Sequence, residues 1–126
     1  MKAIFNRLRQ GGAILLFPEG TRTTDGELQT ARAGVGLVVI KSTAPVVPVR
    51  VFGTFDAWNR HQKVPRPRAV AVKYGHLMRF EELRAESKAC SKDRLKEIYQ
   101  EASDEVMRAI AGLQHGEDLC SFPAAR

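Results

Sequence analysis

The 126-residue chain is 44% hydrophobic and 27% charged, a balance that excludes a disordered polyelectrolyte and suits one small domain with its own core. Its net charge of +6 is polarised: residues 1–80 hold 13 Lys/Arg against 4 Asp/Glu, whereas residues 81–126 hold 7 against 10. No run of about 18 apolar residues occurs, which excludes a bilayer-spanning helix within these residues.

Residues 1–9 carry one short apolar patch among basic residues and predict the last turns of an amphipathic helix. Gly11-Gly12 then introduces the apolar run Ala13-Ile14-Leu15-Leu16-Phe17, which predicts a strand buried on both faces and stopped by Pro18. Residues 18–32 are polar and rich in turn formers, including Asp25-Gly26, and predict a long loop. Residues 33–43 combine two glycines with five β-branched positions, composition that fits helix or strand. Helix is preferred because a strand, Pro45-Val46-Val47-Pro48-Val49-Arg50-Val51-Phe52, follows at once. Strand, crossover and strand would form a βαβ unit with parallel strands.

Residues 54–68 predict a loop with Trp58 and the basic residues Arg60, Lys63, Arg66 and Arg68. A third strand is expected over residues 69–74, ended by Gly75. Residues 81–113 predict helix: Leu95, Ile98, Tyr99, Ala102, Val106, Ile110 and Leu113 recur at the spacing of one buried face. Ser91 suits an N-cap, and Gly112 or Gly116 a stop. The fold class expected is α/β, a partial mixed or parallel sheet flanked by helices, with a C-terminal amphipathic helix. A single domain over residues 1–113 would be followed by a frayed tail over residues 114–126.

Cys90 and Cys120 are scattered, without metal-ligand spacing, and fit a reducing compartment. The chemistry is concentrated in Phe17-Pro18-Glu19-Gly20-Thr21-Arg22. In an open parallel sheet, ligands bind beyond the carboxyl ends of strands, where this loop would lie. Gly20 allows close backbone approach, Thr21 offers a hydroxyl, and Arg22 offers a planar fork of donors suited to phosphate. Glu19 would orient Arg22 or receive a substrate hydroxyl, and Arg32 would return a second positive charge. A structural ion pair between Glu19 and Arg22, serving only to hold the loop, is the competing reading.

The run Gly12-Ala13-Ile14-Leu15-Leu16-Phe17-Pro18-Glu19-Gly20-Thr21-Arg22 resembles the third conserved block of the lysophosphatidate acyltransferase family. Asp25-Gly26-Glu27-Leu28 and Arg32-Ala33-Gly34-Val35 stand where that family has D-G-x-L and F-K-x-G, and Pro45-Val46-Val47-Pro48-Val49 resembles its fourth block. The resemblance covers residues 11 to about 76. It implies transfer of a fatty acyl group to a hydroxyl of a glycerol phosphate lipid in phospholipid biosynthesis. The donor would be acyl-CoA or acyl carrier protein, acting as substrate, with no resident cofactor or metal. It also implies that Glu19, Gly20, Thr21, Arg22 and Arg32 bind the acceptor phosphate, and that the protein works at the cytoplasmic face of a membrane.

The family's catalytic base is a His in an H-x-x-x-x-D block several tens of residues before F-P-E-G-T-R. Here sixteen residues precede Phe17 and none is His. His61, His76 and His115 are followed five residues on by Arg66, Glu81 and Cys120. The expectation is therefore a fragment of the enzyme, without the catalytic dyad, inactive alone and prone to expose sheet edges and apolar surface. A non-catalytic remnant that binds phosphate, or binds anionic lipid through Arg50, Arg60, Lys63, Arg66 and Arg68 with Trp58 and Phe55, is the alternative. Nucleic acid is not an expected partner, because no recognised binding module accompanies the basic charge.

Overall fold

A computed structural model describes residues 1–114; the expected tail, together with His115, Gly116 and Cys120, lies outside the described residues apart from Gln114. The elements in chain order are α1 (Lys2–Arg9), α2 (Ala33–Lys41), β1 (Val49–Phe52), α3 (Thr54–Ala57), β2 (Ala71–Tyr74), α4 (Glu81–Glu86) and α5 (Lys92–Ala111).

The core is built by α2 against α5. α5 buries Ile98, Ala102, Val106 and Ile110, successive positions one helical turn apart that form a single stripe. α2 answers with Val39 and Ile40, and Phe80 closes the cluster from the residue before α4. Each fully buried Ile, Val or Phe contributes about 1.5–3 kcal/mol relative to exposure. α2 carries two glycines, each about 1 kcal/mol poorer than Ala in a helix interior. Packing rather than propensity therefore makes it helical. Gly36 shows why: a Cβ there would collide with the Tyr99 carbonyl oxygen of α5, so only glycine lets the two backbones approach this closely.

The helix ends are fastened by side chains. Ser91 accepts the Arg94 N–H at the start of α5, and Gly112 stands at its C-cap. At the end of α2, Arg84 donates from Nε and Nη2 to Val39 O at 3.0 and 2.9 Å, and from Nη2 to Ala44 O at 2.7 Å. Burial lowers the Arg84 pKa from its usual value. Residues 81–113 are not one helix. α4 stops at Glu86 and α5 begins at Lys92, and Arg94 bridges the break by donating to Glu86 Oε1 at 2.7 Å and Glu101 Oε1 at 2.6 Å.

The sheet differs from the expected one. β1 and β2 pair antiparallel, Val49 opposite Tyr74 and Phe52 opposite Ala71, and no parallel pair exists among the described residues. The predicted 45–52 strand is shorter: only residues 49–52 join the sheet, Val46 forms an isolated bridge to Met78, and buried Pro48 instead accepts the Gly75 N–H. The predicted 13–17 strand does not form. Ladder hydrogen bonds need a neighbouring strand, and none lies beside this run among the described residues, which leaves Leu15 and Phe17 each 72% exposed. Without that strand there is no βαβ unit. One sheet face packs its basic residues on the end of α5: Arg50 donates to Ala111 O and Leu113 O, and Lys73 to Gln114 O. The opposite face leaves Val51, Val72 and Tyr74 exposed. None of the helices among the described residues is long and apolar enough to cross a membrane.

Candidate functional site

The F-P-E-G-T-R run sits on a closed excursion of the chain. Arg32 donates its N–H to Pro18 O at 2.9 Å, so residues 18 and 32 are clasped together across fourteen positions of irregular backbone. Inside the excursion, Gly20 N–H bonds Phe17 O at 3.1 Å and completes a tight turn. Gly20 has φ +69°, a left-handed conformation that side chains disfavour. A Cβ there would also lie 2.9 Å from Arg32 Cδ and Nε. Glycine thus permits both the turn and the seat of the Arg32 side chain against it.

Glu19 does not pair with Arg22. Its Oε2 accepts the Gln29 N–H at 2.9 Å, which braces the return arm of the loop. The outer tip is a separate local turn: Thr23 Oγ1 donates to Asp25 Oδ1 at 2.8 Å and accepts the Gly26 N–H. That hydroxyl, followed by the Glu27 N–H, holds the Asp25 pKa below its usual value. Thr21, Arg22 and Arg32 are exposed. Neither guanidinium makes a hydrogen bond or an ion pair among the described residues.

Gly20 and Arg32 are therefore brought together and Glu19 is tied to the return arm, while Thr21 and Arg22 are exposed. Beside them lies a groove of about 220 Å³ between α1, the loop and α2, lined by Ile4, Leu16, Phe17, Pro18, Gly34, Val35 and Val38 among others. Among the described residues, Arg32 is the one charged side chain in that lining. A cationic end on an apolar trough suits an anionic amphiphile.

Ser103 of α5 was not singled out from sequence. Its Oγ is fully buried, accepts the Gly36 N–H at 2.8 Å and donates to Arg32 O at 3.1 Å. It ties the helical core to the residue that carries the second cation. The available signal was a serine inside the apolar stripe of α5, beside Ala102. His61 and His76 are exposed.

Residues 1–52 match the family described as Acyltransferase. Over that stretch the chain is similar to acyltransferases. The curated relatives agree. A 1-acyl-sn-glycerol-3-phosphate acyltransferase of Limnanthes douglasii is 37% identical over 62 residues, covering 49% of this chain and 22% of the relative. One of Cocos nucifera is 34% identical over 62 residues, 49% of this chain and 20% of the relative. A chloroplastic one of Arabidopsis thaliana is 37% identical over 54 residues, 43% of this chain and 15% of the relative. The chain spans about a fifth of the length of the curated relatives it matches. No solved structure matches it significantly. Within the matched residues lie α1, the clasped loop, α2 and β1.

Proposed function

We propose that this chain carries the acceptor-phosphate site of a 1-acylglycerol-3-phosphate acyltransferase. The observation that carries the reading is Arg32, without a hydrogen bond or ion pair from its guanidinium among the described residues, seated against a braced glycine turn beside an apolar groove, with the exposed Arg22 two residues beyond that glycine. Arg22 contacts the phosphate through its planar fork. Arg32 adds a second charge from its seat against Gly20, and the groove shelters the glyceryl and acyl part of the lipid. Thr21 supplies a hydroxyl at the rim. Glu19 acts as a brace, since its carboxylate is engaged with Gln29.

In the reaction, the acceptor hydroxyl attacks the thioester carbonyl of acyl-CoA or acyl carrier protein. The acyl–oxygen bond forms, the carbonyl–sulfur bond breaks, and the hydroxyl proton passes by way of a base to the departing thiolate. None of this chain's three histidines has an Asp five residues on, so no residue here is assigned that proton. The site would work at the cytoplasmic face of a membrane, where such lipids are presented.

Titration of the 126-residue chain with lysophosphatidate, kept below micelle formation and followed by calorimetry, tests the reading. Arg22→Ala removes a charge-assisted hydrogen bond, which corresponds to about 1.5–3 kcal/mol, or roughly 10- to 150-fold in affinity. Unchanged affinity in both Arg22→Ala and Arg32→Ala would sink the assignment. No acyl transfer is expected from these residues alone.

A second reading is favoured by one feature. Trp58 is 53% exposed and Val64 72% exposed, close in sequence to the exposed residues Arg60, Lys63, Arg66 and Arg68. Such a loop suits the surface of an anionic membrane. Sedimentation with phosphatidylglycerol vesicles that weakens with salt and with Trp58→Ala supports it; equal retention on neutral vesicles counts against it.

A further inference from the structure

A polar basin of about 530 Å³ opens between α3 and the segment that follows it, lined by Asp56, Asn59, Gln62, Arg66 and Arg68. Its size is that of a pocket for a small organic ligand. It lies apart from the groove described above and shares no lining residue with it.

Its walls are held in place. Arg66 donates its N–H to Ala57 O at 2.7 Å, and Trp58 Nε1 donates to Gln62 O at 3.1 Å. Asn59 Oδ1 accepts the His61 N–H at 3.0 Å, which leaves the Asn59 amide NH₂ to donate elsewhere. Neither Arg66 nor Arg68 forms an ion pair with Asp56 or with any other described residue. Gln62 Oε1 is sealed from solvent and has no hydrogen-bond partner among the described residues. Being closed to solvent, that acceptor is not presented to a ligand in the basin, and Gln62 serves as part of its wall.

The basin thus offers two kinds of unmet group. Arg66 and Arg68 want an anion, and the Asp56 carboxylate wants hydrogen-bond donors. A bare anion satisfies the first and is repelled by Asp56. A flat membrane surface would meet the exposed Trp58 and Val64 but has no group that enters a concavity.

We propose that this basin is a second ligand site, built for a soluble phosphate ester that also carries hydroxyl or amine donors, of nucleotide or sugar-phosphate size. Arg66 and Arg68 hold the phosphate, Asn59 donates to an ester or ring oxygen, and Asp56 receives the ligand's donors. The proposal stands independently of the acceptor reading, because the two sites use different residues. The outer turn of the acceptor loop does lie close by: a Cβ on Gly26 would stand 3.2 Å from the ring of Phe55 in α3.

The test is titration of the 126-residue chain with adenosine 5′-monophosphate and with ribose 5-phosphate, followed by amide chemical shifts. Inorganic phosphate and phosphatidylglycerol vesicles serve as comparison arms. Saturable binding of a phosphate ester, tighter than inorganic phosphate, is expected, with shifts at residues 56–69. The double variant R66Q/R68Q should weaken it about tenfold or more, as loss of charge-assisted hydrogen bonds implies. Arg22→Ala should leave it unchanged while lowering lysophosphatidate affinity, which separates failure of this site from failure of the acceptor site. Binding that is indifferent to R66Q/R68Q, inorganic phosphate binding as tightly as the esters, or binding to vesicles alone overturns the proposal.

Discussion

Ser103→Ala is the perturbation that bears most directly on how the core supports the loop. The Ser103 hydroxyl is fully buried and serves two partners, accepting from Gly36 N at 2.8 Å and donating to Arg32 O at 3.1 Å. Alanine removes both bonds with little change of volume. Arg32 O keeps a partner in the Val35 N–H at 3.1 Å, so the cost there is small. The Gly36 N–H, in the first turn of α2 and packed against Tyr99, has no replacement among the described residues. A buried donor left without an acceptor costs about 1–3 kcal/mol. Against a typical domain stability of about 5–15 kcal/mol, that is a large share.

Urea denaturation at low protein concentration, followed by far-ultraviolet circular dichroism, reads the loss as a midpoint lowered by roughly 1 M at a typical slope. Ser103→Cys keeps the size but offers a weak acceptor, and should show most of the same loss. An unchanged midpoint in both variants would refute the view that this hydroxyl clamps α2 to α5. Since Ser103 also fixes the Arg32 carbonyl, lysophosphatidate affinity should fall with it under conditions where the chain remains folded.

Three further outcomes are expected. Gly36→Ala gains about 1 kcal/mol of helix propensity but forces a Cβ into the Tyr99 carbonyl oxygen. Net destabilisation of about 1–3 kcal/mol is expected in a urea titration, and a stabilised variant would contradict the close approach. Arg84→Met removes the donors that cap Val39 O and Ala44 O, so stability should fall by about 1–3 kcal/mol, with faster amide exchange at the end of α2. The Arg94 hydrogen bond holds the Glu86 pKa below its usual value of 4.5. Because the folded state binds the proton less readily than the unfolded one, this contribution is present above pH 4.5 and lost as pH falls through the folded pKa. Unfolding midpoints measured on both sides of that range should converge between the parent and Arg94→Gln at the acid end; a constant gap between them would refute the linkage.

Local patterns were readable without coordinates wherever a period or a special residue settles the local structure. The four-residue recurrence of Ile98, Ala102, Val106 and Ile110 names the buried stripe of α5, and Ser91 and Gly112 mark its ends. The run over residues 69–74, ended by Gly75, marks β2, which is the shorter Ala71–Tyr74, and Gly20 marks the turn that seats Arg32. The F-P-E-G-T-R string pointed to the acyltransferase family before any geometry was known. Direction and pairing of strands were not readable in this way, because a strand's apolar run does not state which neighbour will accept its hydrogen bonds. Residues 13–17 have strand composition but no partner among the described residues, and β1 turned to β2 in antiparallel register. Likewise, only the folded chain could show that Glu19 braces Gln29 instead of pairing with Arg22, that Ser103 reaches Arg32 across 71 positions, and that Gln62 is left with an unmet acceptor. Each of these depends on which distant backbone group arrives at the side chain, and that is decided by the packing of α2 on α5 and not by the residues next to it in sequence.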